Sequence, residues 1–490
     1  MAVSARQQIA QLEARLAEQA ETLAQREATI AELTAKLEAA LKRIEELEAK
    51  LNQDSSNSSK PPSSDPWWKQ RPKKAPKQKG KRKRGGQKGH KGHRRDLLPE
   101  EQVRHIEDVH PQECHNCGSS KLVPEGSEPL RHQVTDIPII EPFTDEWRQH
   151  VGVCVDCGET TRAELPPGVP RSNFGPALVA LVALLTGVYR VGKRGVQRLL
   201  GDVFNVVMSL GAVSNCERQV GEALQVPFDE AREYARHQAS ANADETSWRE
   251  KSKKVWLWVM ATTWVSVFHI LPGRTKQCAQ YVLEGFKGVL VTDRCKSYLF
   301  YTAGQRQICW AHLERDFVGF SERGAITGTI GDDLLKLTKK MFKWWHELGD
   351  GKISRTTFRR RMKTVRREVE ELLEMGQEQS SQSGKFEDIL KHRHALWTFV
   401  NVDGIGPTNN HAEQQVRHPV LIRKLSGGTQ SERGSRFVER MLTTIASLRK
   451  QQRNVHAFLT EACKARTKNE PPPSLLPPRT PDTQQIDPAA

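Results

Sequence analysis

The sequence predicts a multidomain chain: an N-terminal coiled coil, a small cysteine-rich ribbon, a helical region, and an α/β core carrying a helical insertion. Three observations predict it. Apolar residues recur every seven positions at the start, two C-x-x-C pairs follow, and after residue 240 the apolar period changes from that of helices to that of strands. At 490 residues the chain is too long for one compact domain.

Ile9, Leu16, Leu23, Ile30, Leu37, Ile44 and Leu51 fill every a position of the heptads, with Leu12, Leu33 and Leu47 at d. A coiled coil over 1–53 follows, with oligomerisation as its role; the competing reading is a solitary helix folded back on the protein. Gln19 and Arg26 occupy d positions, which weakens the middle of the seam.

Residues 54–98 are rich in Ser, Pro, Lys and Gly, a composition that cannot bury a core and predicts a disordered basic linker. Formal net charge is +16, and residues 69–95 carry 14 Lys and Arg with no acid, so the rest of the chain is nearly neutral. Such a segment reads as an arm for a polyanion, with Lys81, Arg82, Lys83, Arg84, Lys88, Lys91, Arg94 and Arg95 as phosphate contacts on double-stranded DNA. A merely solvated linker is the bland alternative.

Cys114-x-x-Cys117 and Cys154-x-x-Cys157 are each followed by glycine. Each turn aims two thiolates at one tetrahedral site, so 99–170 reads as a ribbon holding a structural Zn2+, closed and non-catalytic. The 36 residues between the pairs leave room for a hairpin of "LRHQVTDIP" and "TDEWRQHVGVC". The other cysteines are scattered, which suits reduced thiols.

The longest apolar stretch, "FGPALVALVALLTGVYRV" from 174, is broken by Gly and Pro and reads as a buried helix, so no membrane partner is expected. The polar, heptad-patterned N-terminus does not resemble a signal peptide, which predicts a cytoplasmic protein. Residues 171–238 read as helical, fitting either a helix-turn-helix with its second helix from about Ser214 or an ordinary helical hairpin.

From 239 the strands are "SANADETSW", "VWLWVMATTW" and "VSVFHILP", then a helix in "RTKQCAQYVLEGF", then "GVLVTD" and "RQICW". Three strands, a helix and two alternating strands is the order of a ribonuclease-H-like fold, assigned to 239–324 and 401–465. Its first and fourth strands lie side by side, so Asp244 and Asp293 would share one sheet edge. Two Mg2+ ions on DNA phosphate need about three carboxylates. Glu413 is the third candidate, on a short helix capped by Asn409 and ended by Pro419. Taken singly, Asp293 reads as a loop cap and Glu413 as part of an exposed helix. Residues 325–400 read as a helical insertion, whose Trp344 and Trp345 fit core packing better than DNA stacking, and 466–490 as a disordered Pro-rich tail.

"NSSKPPSSDP" after the coiled coil, the paired C-x-x-C-G motifs, "ADETSW", "VTDRCKSY", "CWAHLERDF" and "NNHAEQQVRHPVLIRKLSGGTQSERG" run in order along nearly the whole chain. The set resembles the transposases of the insertion sequence 66 family of bacterial mobile elements. That resemblance implies a DDE transposase with a ribonuclease-H-like core, in which Asp244, Asp293 and Glu413 hold Mg2+ or Mn2+, with Glu245 a rival for the first position. It implies binding of element ends and target DNA, strand cleavage and strand transfer, action at the bacterial nucleoid, and help from accessory proteins of the same element. Arg417, Arg423, Lys424, Arg433 and Arg436 are candidate backbone contacts, and Cys309, His312 and Arg315 fit the family's C-x-x-H-x-x-R pattern with no role assigned. The rivals are a non-catalytic architectural or regulatory DNA-binding protein, and a nuclease that cuts without joining.

Overall fold

Ala2–Leu51 forms one unbroken helix, α1. Its seam residues stay in solvent, from 45% exposed at Leu47 to 80% at Leu51, so the helix does not fold back on the protein. The structure is a computed structural model that describes residues 2–55, 57, 58, 65, 96–123, 126–302 and 305–478. The eight basic residues named between 81 and 95 lie outside the described residues. Contacts divide the chain into two units: residues 1–65, 144–202 and 206–490, and residues 66–143 with 203–205.

Beyond α1 the linker composition predicts an extended chain, but its start is built into the first unit. Ser55 donates to Asp65, Asn57 donates to Glu322 at 2.6 Å, and Ser58 is buried. Short Ser and Asn side chains turn and pin the backbone here, doing what apolar burial does elsewhere.

In the second unit the backbone amide and carbonyl of Leu98 pair with the side chain of Gln133 at 2.8 and 2.9 Å. "LRHQVTDIP" forms no strand, contrary to the hairpin expected there. In the first unit, β1 (Val151–Val153) pairs antiparallel with β2 (Thr160–Arg162) across the Cys154–Cys157 turn. The cysteine turn itself makes the hairpin.

Between β2 and the core lie α2 (Pro176–Gly187), α3 (Lys193–Phe204), α4 (Leu210–Ala223) and α5 (Gln225–Arg236). α4 begins four residues earlier than Ser214, because the Ser209 hydroxyl caps the amide of Ala212.

The core is a five-stranded mixed sheet, compatible with a ribonuclease-H-like core. β3 (Ser240–Glu250), β4 (Lys253–Ala261) and β5 (Ser266–Leu271) form an antiparallel meander. The chain crosses through α6 (Lys276–Val282) to β6 (Val289–Thr292), which lies parallel to β3, and β7 (Arg306–Ile308) lies parallel to β6. The order β5-β4-β3-β6-β7 thus places the first and fourth strands side by side.

α7 (Trp310–Ser321), α8 (Ala325–Gly349), α9 (Arg355–Gln379), α10 (Ser383–Leu390) and α11 (Thr398–Asn401) build a second apolar core with β6 and β7. Trp344 and Trp345 pack against it, Trp345 edge-on to Phe358 and Phe399. α12 (Asn410–Ser426) and α13 (Glu432–Lys450) cover one sheet face, where Val416, Ile422 and Leu442 meet Trp248, Val259 and Phe268.

Pro419 does not end α12 as expected; it is buried inside the helix, which stops at Gly427 in a left-handed conformation (φ 72°). An interior proline costs about 3 kcal/mol, and burial of its ring with Val416 and Ile422 offsets that. After α14 (Val455–Lys468) the tail also departs from its expected disorder through residue 478. Leu475 is fully buried, its amide bonds Glu230, and Arg453 holds the carbonyls of Ser474 and Leu476. Proline lowers the entropy lost on ordering such a segment, and one apolar anchor suffices.

Candidate active site

The site grows from strand pairing. Asn242 on β3 stands opposite Val291 on β6, so two residues further along their strands come Asp244 and Asp293. Glu413 lies in the first turn of α12, near enough for its charge to bear on Asp244. Burial, then Glu245, then Asp293 push the Asp244 carboxyl well above the usual carboxylate range, with Glu413 adding to the same effect. Acids gathered this way repel one another until cations sit among them.

The ligand atoms of these three acids do not all close to within 4.8 Å among the described residues. Two ions held about 3.5–4 Å apart do not require that of their outer ligands. The groups that do close are Glu245, Asp293 and Cys295 on one side, and Cys309, His312 and Glu413 on the other.

Asp293 is also the loop cap of the bland reading: its Oδ1 accepts the Cys295 amide at 2.8 Å. That bond fixes the carboxylate and leaves Oδ2, which lies 3.5 Å from Arg274. Glu245 points to the opposite face of β3, fully buried, where the Tyr298 hydroxyl (2.6 Å) and Arg274 Nε (2.5 Å) hold it. Asp293 stands beyond the end of β6, and its carboxylate nonetheless closes to within 4.8 Å of that of Glu245.

Asn409 occupies the N-cap position of α12, but its side chain caps nothing. It is fully buried and crosses to β3, donating to the Ala243 carbonyl at 2.8 Å and accepting from Asn242 at 3.1 Å. Neither this bridge nor the roles of Arg274 and Tyr298 carry a local sequence signal, since each partner is far away along the chain.

The five candidate phosphate contacts separate into two groups. Arg417, Lys424 and Arg433 are exposed. Arg423 instead donates to the Ser247 carbonyl and hydroxyl, and Arg436 pairs with buried Glu439 at 2.8 Å. These bonds engage part of each guanidinium, whereas Arg417, Lys424 and Arg433 stand free in solvent.

Each cysteine pair forms the turn its spacing predicts. Gly118 donates to the Cys114 carbonyl and Gly158 to that of Cys154, both glycines at φ 71°, and backbone amides facing the sulfur lower the thiol pKa of Cys114 and of Cys154.

A mixed sheet of this order, with Asp244 within β3 and Asp293 just beyond the end of the parallel strand β6, is compatible with a ribonuclease-H-like core. Residues 171–437, more than half of the chain, match the Transposase IS66 family, and the chain belongs to that family. Membership supports a transposase role. Residues 5–96 match a second family, one of unknown function, and no curated protein matches the sequence. No described helix is long and apolar enough to cross a membrane.

Proposed function

We propose that this protein binds the ends of an insertion element and catalyses metal-dependent cleavage and joining of DNA strands. What supports this reading is that Asp293, after β6, and Glu413, on α12, both bear on the buried carboxyl of Asp244 on β3, in a chain of a transposase family. The donor set is all oxygen, and the Glu413 Oε1 atom is buried without a hydrogen-bond partner among the described residues, which fits a hard divalent cation such as Mg2+ or Mn2+.

In strand joining a terminal 3′-hydroxyl attacks a target phosphodiester in line, so one P–O bond forms as another breaks and the displaced 3′-oxygen departs. The ions, when bound, supply charge that activates the hydroxyl and stabilises the leaving oxygen. The chain holds its acids ready: Cys295 fixes Asp293, Asn409 ties Glu413's helix to Asp244's strand, and Arg274 neutralises Glu245 so that this acid serves the fold. Arg417, Lys424 and Arg433 lie on DNA phosphates, with the basic arm before residue 96. Each cysteine pair offers two thiolates for a structural Zn2+, and α1 joins copies of the chain as a coiled coil.

The test is a DNA-binding and strand-joining assay on the DNA flanking this gene, with Asp244→Ala, Asp293→Ala and Glu413→Ala beside wild type. Each alanine variant is expected to bind DNA and form no joined product. Joined product from any of the three at the wild-type level contradicts the reading.

A further inference from the structure

His312 and Arg315, three residues apart, share one side of α7 and Cys309 holds its N-cap position, while Leu313, Phe317 and Phe320 enter the apolar core. That side faces α12. His312 Nδ1 lies 3.6 Å from Glu413 Oε1, and Arg315 Nη2 lies 3.9 Å from Glu413 Oε2. Both His312 Nδ1 and Glu413 Oε1 are buried and lack a hydrogen-bond partner among the described residues. Leaving two such atoms unpaired is costly, and they need approach by less than about 1 Å to bond each other.

Cys309 acts on the start of α12, the end that carries Glu413. Its buried sulfur accepts the backbone amide of Asn409 at 3.1 Å, and the next residue, Trp310, donates its amide to the Pro407 carbonyl at 2.9 Å. Asn409 in turn bridges to Ala243, the neighbour of Asp244.

We propose that the C-x-x-H-x-x-R motif is a carboxylate clamp: His312 and Arg315 each face one oxygen of Glu413 and set its direction, while Cys309 fixes the start of the helix that carries it. The clamp rests on the reading of Glu413 as the third metal-binding acid. Each carboxylate oxygen has two lone pairs, so an oxygen held by a donor on α7 keeps another pair for a cation toward Asp244. Partners that orient a ligating side chain in this way typically account for 10–100-fold in metal affinity or activity, the order expected here. His312 and Arg315 are positioning residues, since neither needs to touch DNA.

The experiment measures Mn2+ binding to the full-length protein by calorimetry, and the Mn2+ concentration that half-saturates strand joining, for wild type, Glu413→Ala, His312→Ala, His312→Asn and Arg315→Gln. The Asn variant matters because its amide nitrogen stands where His312 Nδ1 stands. His312→Ala is expected to raise both Mn2+ midpoints by about tenfold or more without weakening DNA binding, and Asn to restore most of the loss. Wild-type Mn2+ midpoints in His312→Ala, alongside lost binding in Glu413→Ala, overturn the clamp and leave the triad standing. Unchanged Mn2+ binding and joining in Glu413→Ala overturn the reading of Glu413 and the clamp with it. Should His312→Ala not fold, His312→Asn and Arg315→Gln decide: equal midpoints in wild type and Arg315→Gln count against the clamp.

Discussion

Asn409 donates its side-chain amide to the carbonyl of Ala243 at 2.8 Å, so the residue that begins α12 is tied to the strand residue just before Asp244. One buried amide thus sets the distance between two acids that are far apart in sequence. Asn409→Ala leaves the Ala243 carbonyl and the Asn242 amide without this partner and is expected to cost about 1–3 kcal/mol in urea unfolding. Strand joining should fall further than stability accounts for at temperatures where the variant is fully folded. Full joining by the folded variant would show that the tie is only structural.

Burial pushes the Glu439 carboxyl on α13 up to about 7, against the attraction of Arg436. A raised carboxyl favours folding while protonated, so its contribution is fully present below the unfolded value of 4.5 and is lost as pH rises through about 7. Glu439→Gln keeps an acceptor for the Ile270 amide and removes the titration. Its stability advantage over wild type should grow by up to about 3 kcal/mol between pH 5 and pH 8, read by urea unfolding at each pH. A flat difference across that range would assign the charge elsewhere.

What could be read from the sequence follows from how local the signal is. Asp244 and Asp293 could be paired because strand periods and one crossover fix which strands are neighbours, and Glu413 because its polar turn opens a recognisable helix. Asn409 could be placed at a helix start, but not turned away from capping, because Ala243 is its real partner. Arg423 and Arg436 looked like free cations until Ser247 and Glu439 were seen beside them. Pro419 and Leu475 broke local rules for one reason: burial outweighed a backbone preference in the helix and a disorder-prone composition in the tail.

The apolar seam of α1 is exposed along its length, which a stable soluble helix needs a partner to cover. Leu23→Lys with Ile30→Lys, at two a positions, is expected to lower the oligomer number in light scattering while leaving the thermal unfolding of the core unchanged. An unaltered mass would mean that copies associate through another surface.

Metal removal separates the two proposed ion types. The purified chain should carry about one zinc ion, lost in Cys154→Ser and retained in Asp293→Ala. Stripping it with a strong chelator is expected to weaken DNA binding, and zinc, not Mg2+, should restore that binding. Zinc content unaffected by Cys154→Ser would remove the ribbon from the account.

The most direct test of the central claim exchanges the hard oxygen of one acid for soft sulfur and asks which metal then supports joining. Asp293→Cys is assayed beside wild type and Asp293→Ala, with Mg2+ and with the more thiophilic Mn2+. The account predicts joined product from wild type with either ion, none from Asp293→Ala, and product from Asp293→Cys with Mn2+ but not with Mg2+. Wild-type joining by Asp293→Ala would contradict it, leaving Asp293 as no more than the cap of its loop.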